Sequence, residues 1–362
     1  MNITFLIGNG FDRNLGLNTT YSDFVKKYKN TPCVTEALRD FRCNIHENEE
    51  LWSSAELALG QYTKRFDNST ADSFSECHVD FCEHLAAYLK KQETRIDYIA
   101  SEEKIRSAFS NLNKLTQNFP TQERAVLDGL YQRHTAEGIY FNFINYNYTG
   151  TLDQCLDIVK KDTKVLGIHR HNTTIMPHEI REICHVHGTV EKEMVFGVND
   201  DSQIGKVEIF DCENGDLYKN MLVKRQANAS YLENTDDKAA KLIQNSHIIY
   251  VYGMSIGDTD KLWWDRICTW LSASSDHHLL IQKYETPPKG VTSIKYQLFE
   301  RECRKDFSRH SSLDKATKGS IEKRIHVTGE NIFEDIKNIA NPLKTEFENR
   351  FDEIIEISSG VR

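Results

Sequence analysis

Apolar positions recur along the chain at two spacings, and the change from one to the other divides it. The uninterrupted run ITFLI at residues 3–7 predicts a buried strand. Residues 20–135 then carry almost no strand signal. Phe74, Cys77, Phe81, Leu85 and Tyr88 fall at helical spacing, as do Leu51, Ala55, Leu59 and Tyr62, and Ile105, Ala108, Leu112 and Leu115. This block reads as an all-helical insertion.

From about residue 138 short apolar runs return. IYFNFI (139–144), KVLGI, EICHVHG, MVFGV, HIIYVYG, HLLIQ and RIHVT read as strands, with Leu152, Cys155, Leu156 and Val159 forming a helical face between the first two. Strands alternating with helices predict an α/β fold, a Rossmann-like, mostly parallel sheet covered on both faces. The expected division is residues 1–19 with 136–330 as the nucleotide-binding domain, 20–135 as the helical insertion, and 331–362 as a C-terminal helical segment. Residues 200–240 are polar and rich in Asn and Asp, and read as a loop or lid.

Composition narrows the classes. A net charge of −9, with no long basic run, argues against broad binding of nucleic-acid backbones. No segment approaches the ~20 apolar residues of a membrane helix. The nine cysteines are scattered without any C-x-x-C pair, which fits reduced thiols in a cytoplasmic protein and gives no zinc-ribbon spacing. No metal is expected.

Four motifs end apolar runs, where open parallel sheets gather ligands. Gly8-Asn9-Gly10-Phe11-Asp12 suits a phosphate-facing turn, because glycines let main-chain N–H groups approach closely; a tight strand-to-helix turn explains it equally. Asn145-Tyr146-Asn147-Tyr148-Thr149-Gly150 offers amides for ribose hydroxyls or water, against a reading in which Asn and Thr cap the next helix. Cys184-His185-Val186-His187-Gly188 places two histidines on one strand face and a histidine before glycine, a candidate general base or a structural hydrogen-bonded ring. Gly253-Met254-Ser255-Ile256-Gly257-Asp258-Thr259-Asp260 offers a second anion or ribose site, or an N-cap from Ser255 or Asp258.

In this order, with YSDF at 21–24 and Phe196 to Asn199 as FG-x-N, the motifs resemble the AbiH family of bacteriophage abortive-infection proteins, itself similar to sirtuin-type NAD-binding proteins. That resemblance implies that Gly8 and Gly10 meet NAD phosphates, Asn147 the ribose or water, Ser255 the ribose or phosphate, and that His187 acts as base. The candidate catalytic set is Asn147, His187 and Asp12, with Asp12 supporting the ribose cation or ordering a neighbour. Asn9, Phe11, Tyr146, Thr149, Gly188, Gly253 and Asp258 complete the expected ligand contacts. Thr149 stands where sirtuin-like defence enzymes often carry Asp, and the four-cysteine zinc module of sirtuin deacylases is missing, which disfavours deacylation.

The resulting expectation is an antiphage effector that hydrolyses NAD+ to nicotinamide and ADP-ribose when triggered. The alternative is a non-catalytic nucleotide sensor or scaffold in a defence complex; a nuclease is weakened by acidic charge and unclustered carboxylates. A phage-derived or operon-encoded protein is the expected trigger, and self-association into a homo-oligomer is left open.

Overall fold

The computed structural model describes residues 1–162, 164–231, 234–257, 260–284 and 293–341. Seven strands form one sheet: β1 (Asn2–Ile7), β2 (Ile139–Asn145), β3 (Ile168–His171), β4 (Thr174–His185), β5 (Ile248–Tyr252), β6 (His278–Gln282) and β7 (Ile325–Thr328). Their spatial order is β3-β4-β2-β1-β5-β6-β7. All neighbours are parallel except the β3–β4 hairpin at one edge. Setting that hairpin's outer strand aside, this is the Rossmann order. The chain builds outward from β1 through β2 and β4, then returns to the other side of β1 with β5.

Alternation along β1 assigns its residues to two faces. Ile3, Phe5 and Ile7 join Phe141, Phe143 and Tyr250 in one core, covered by Phe109, Leu112, Leu152 and Phe333. Leu6 faces the other way with Ile249, Val251 and Leu279, covered by Leu242, Trp264, Ile267 and Phe307. Burial on both sides explains why these strands read as unbroken apolar runs.

The helical stretch serves two cores. Helices up to Ala71–Glu93 pack Phe24, Phe41, Trp52, Phe74 and Phe81 into a core of their own, together with Phe196, Ile209 and Leu222. The following segment, including the helices Glu102–Ser110 and Thr121–Arg133, instead lies on the sheet through Ile105, Phe109, Leu127 and Leu130. The face expected from Leu51 to Tyr62 is interrupted. One helix ends at Trp52, another starts at Ala55, and Leu51 is exposed while Trp52 is buried.

Residues 200–240 are not a free loop. They form the helices Gly215–Leu222, Lys224–Tyr231 and Thr235–Gln244, because Phe210, Leu222 and Val223 bury against the helical block and Ala239 and Leu242 against the sheet. MVFGV forms no strand; Phe196 and Val198 enter the helical block's core, and only a single bridge joins Val198 to Val223. KVLGI contributes only its last residue to β3. Of the 331–362 segment, 331–341 carries one short turn, Glu334–Ile336, and the remainder lies outside the described residues. Among the described residues no helix is long and apolar enough to cross a membrane.

Candidate functional site

The switch in winding direction lies between β1 and β5, and a crevice opens there at the carboxyl ends of the strands. Glycine is required on both sides of it. A Cβ on Gly10 would lie 2.3 Å from the Cα of Gly253, and one on Gly8 would lie 2.8 Å from the Gly253 carbonyl oxygen. Gly253 itself has φ +67°, a left-handed conformation that glycine adopts without penalty. The two turns are stitched together as Gly8 N–H donates to Tyr252 O at 3.0 Å and Gly10 N–H to Gly253 O at 2.8 Å. These N–H groups are therefore engaged by backbone carbonyls, and the glycines' observed work is to let two strand tips touch.

Asn147 joins the same point from β2. Its Nδ2 donates to Gly8 O at 3.1 Å, while its own N–H is held by Asn145 Oδ1 at 3.1 Å. The capping alternative does not hold here: the helix Thr151–Lys160 has Gly150 at its N-cap and no side-chain cap. Thr149 and Thr151 donate instead to the two oxygens of Asp12, at 2.7 and 2.5 Å. Asp12 thus orders the loop after β2. Burial pushes its carboxyl up to about 6, against the lowering effect of those two hydroxyls.

A hollow of 170 Å³ is lined by Gly8, Asn9, Asp12, Tyr146, Asn147, Thr149, Gly253, Ser255 and Asp260, with Tyr21 from the helical block. Asn9 is fixed by Thr19, whose hydroxyl donates to its Oδ1 at 2.5 Å. Ser255 is exposed and does not cap the next helix, which begins after Asp260. Asp258 lies outside the described residues. On the β5–β6 side a larger hollow of 510 Å³ shares Asn9, Gly253 and Ser255 and adds Gly10, Arg13 and Lys283.

His187 lies in a third hollow of 340 Å³, with Lys224, Asn228, Trp263 and Arg266; it meets the Asn147 hollow at Asp260, which lines both. The ring packs edge-on to Tyr146, centroids 5.7 Å apart. Burial, reinforced by the Lys224 cation, holds its pKa well below the usual histidine value, so it is a neutral acceptor at physiological pH. Its Nδ1 is buried without a hydrogen-bond partner among the described residues, as is the Tyr146 hydroxyl. His185 does not share this environment: its Nε2 meets Asp153 Oδ1 at 3.0 Å. The two histidines therefore have separate partners rather than a common ligand, and among the described residues no cluster of three metal-ligating side chains occurs.

Two expected contacts fall elsewhere. Phe11 is a core residue, edge-on to Phe333 at 5.3 Å and to Tyr252 at 6.5 Å. Gly188, at φ +66°, forms a tight turn in which a Cβ would lie 2.1 Å from Glu193 O.

Charged groups that no strand tip announces complete the site. Glu56, from the helix Ala55–Tyr62, accepts from the Tyr21 hydroxyl at 2.8 Å and the Tyr148 hydroxyl at 3.2 Å, and pairs with Lys224 Nζ at 2.6 Å. The helical block therefore reaches the loop after β2 through two carboxylates, Glu56 at Tyr148 and Glu93, which accepts from the Gly150 backbone N–H.

The raised Asp12 pKa gives a stability prediction. A folded-state value of about 6 against an ordinary 3.8 means that the ionised form is disfavoured on folding. That cost is fully present above pH ~6 and disappears as pH falls below the ordinary value. Asp12→Asn is therefore expected to raise unfolding free energy by about 1–3 kcal/mol near neutral pH, and by much less at about pH 4. Urea unfolding at the two pH values measures this; equal gains at both would contradict it.

A Rossmann-ordered sheet with polar strand tips converging on its switch point defines an α/β protein with a crevice at the carboxyl ends of its strands. Residues 4–281 match the family model described as bacteriophage abortive infection AbiH, and the chain belongs to that family. No curated protein matches the chain.

Proposed function

We propose that this protein acts in phage abortive infection by binding NAD+ along the switch-point crevice and hydrolysing it to nicotinamide and ADP-ribose. The observation that carries this reading is the meeting of Asn147 with Gly8 at the Rossmann switch point, one hollow away from the buried, neutral His187. The two larger hollows, at 340 and 510 Å³, each fall within the roughly 300–1,000 Å³ usual for small-molecule sites. They adjoin the Asn147 hollow on opposite sides, which suits an elongated ligand.

The bond between nicotinamide and ribose breaks through an oxocarbenium-like transition state, so positioning and electrostatics matter more than covalent machinery. Asn147 holds water or a ribose hydroxyl. His187, uncharged, accepts a hydrogen bond without adding positive charge beside the developing cation. Asp12 keeps the loop after β2 in place. Control belongs to the helical block, which touches this loop through Glu56 and Glu93, and the trigger is a phage-derived or operon-encoded protein.

The test is to incubate purified protein, alone and with phage-infected cell extract, with NAD+ while free nicotinamide is followed. The expected outcome is release that falls about 100-fold or more in Asn147→Ala and in His187→Ala. Full activity in both variants would reject the assignment. Stabilisation by NAD+ without nicotinamide release would instead favour a nucleotide sensor, since ligand at 100 times its dissociation constant adds about 2.7 kcal/mol.

A further inference from the structure

Asp260 stands at the junction of the Asn147 and His187 hollows and lines both. It occupies the N-cap position of the helix Lys261–Ala273 yet makes no capping bond, and its side chain has no hydrogen bond or ion pair among the described residues. Three charged groups around it have hydrogen-bond partners of their own. Lys224 pairs with Glu56 at 2.6 Å, Asp236 accepts from Asn228 at 3.0 Å, and Asp265 accepts from the Ser312 backbone at 2.6 Å. Asp236 and Asp265 are thus held by neutral donors, whereas Asp260 has no donor at all among the described residues.

A half-buried carboxylate with no hydrogen-bond donor among the described residues favours a cation beside it. Next to it stands Trp263, edge-on to Tyr146 at 5.9 Å and with the Arg266 guanidinium 4.9 Å over its ring, so the same corner offers the part of an aromatic ring that Arg266 does not cover. An N-glycosyl pyridinium combines a flat ring with a fixed positive charge at the ring nitrogen. Resting on the NAD+ reading above, we infer that Asp260 is the specificity-determining residue of the site, pairing with the pyridinium cation and so selecting the oxidised dinucleotide over the reduced one, whose ring is neutral. Burial pushes the Asp260 carboxyl up to about 6, which leaves it ionised at neutral pH.

Titration calorimetry of the purified full chain with NAD+ and, separately, NADH tests this. Wild type is expected to bind NAD+ about five- to tenfold more tightly than NADH, the size of one partly screened ion pair. Asp260→Asn, checked for an unchanged circular dichroism spectrum, is expected to bind the two within about twofold, and Asp260→Glu to keep the preference. A preference retained in folded Asp260→Asn, or wild type binding both forms alike, overturns the inference while leaving the dinucleotide site standing. Failure of wild type to bind either nucleotide overturns both the inference and the reading on which it rests.

Discussion

Lys224→Ala is expected to cost about 3–5 kcal/mol of unfolding free energy, the range measured when one partner of a buried ion pair is removed. Lys224 and Glu56 are 5% and 14% exposed at the side chain, and their 2.6 Å contact joins the helical block to the helix Lys224–Tyr231. Without the ammonium, Glu56 keeps only the Tyr21 and Tyr148 hydroxyls as donors. Replacing both partners, as Glu56→Gln with Lys224→Met, is expected to cost distinctly less than the sum of the single changes, because no charge is left buried alone. Guanidinium unfolding of the four proteins measures the coupling. Additive costs would mean that the pair is solvated and does not hold the block to the site. Removing the Lys224 cation also relieves one of the two effects that depress His187, so the imidazole pKa is expected to rise.

Gly10→Ala is the second large effect. The new methyl would run into the Gly253 main chain, with its Cα at 2.3 Å, O at 2.9 Å and C at 3.0 Å. No rotamer relieves a clash with main chain, so the β1 and β5 turns must separate. The expected loss is about 3 kcal/mol, the upper end for overpacking in a well-packed interior. Gly319, in the helix Lys315–Ile321 with nothing within 4 Å of a built Cβ, is the internal comparison. There alanine is expected to add about 0.5–1 kcal/mol, since glycine inside a helix is intrinsically unfavourable. Thermal unfolding of the two variants checks both signs; a tolerated Gly10→Ala would show that the turns are not in contact.

The same two sites show what the sequence could reveal. β1, β2, β5, β6 and β7 were legible because strands buried on both faces must be apolar throughout, and each of the first three ends in residues too polar or too small for a core. Asn147 and Gly253 follow two of these strands and meet the β1 turn, and the contact between the Gly10 and Gly253 turns gives their glycines a physical reason. Residues 200–240 were not legible. Buried side chains there such as Ile209, Phe210, Leu222 and Val223 meet a helical block more distant in sequence than any periodicity window.

Glu56 and Lys224 were missed for a related reason: a lone charge on a helix ordinarily marks a solvated face. The available signal was Glu56 within the otherwise apolar AELAL, where a solvated face would have shown further charges. Phe11 was drawn into the ligand set only by adjacency to the glycines. In a five-residue helix it turns to the core beside Phe333, some 320 positions away, a neighbour that no local pattern announces.

On the proposed reading, the tips of β1, β2 and β5 enclose one dinucleotide. A crystal grown with NAD+ tests it most directly. The expected result is a single nucleotide lying across the switch point, with Asn147 within hydrogen-bond distance of the ribose or of an ordered water beside it and the nicotinamide ring adjoining Asp260. A nucleotide bound away from Gly8 and Asn147, or a crevice that stays filled by protein alone at saturating NAD+, would contradict it.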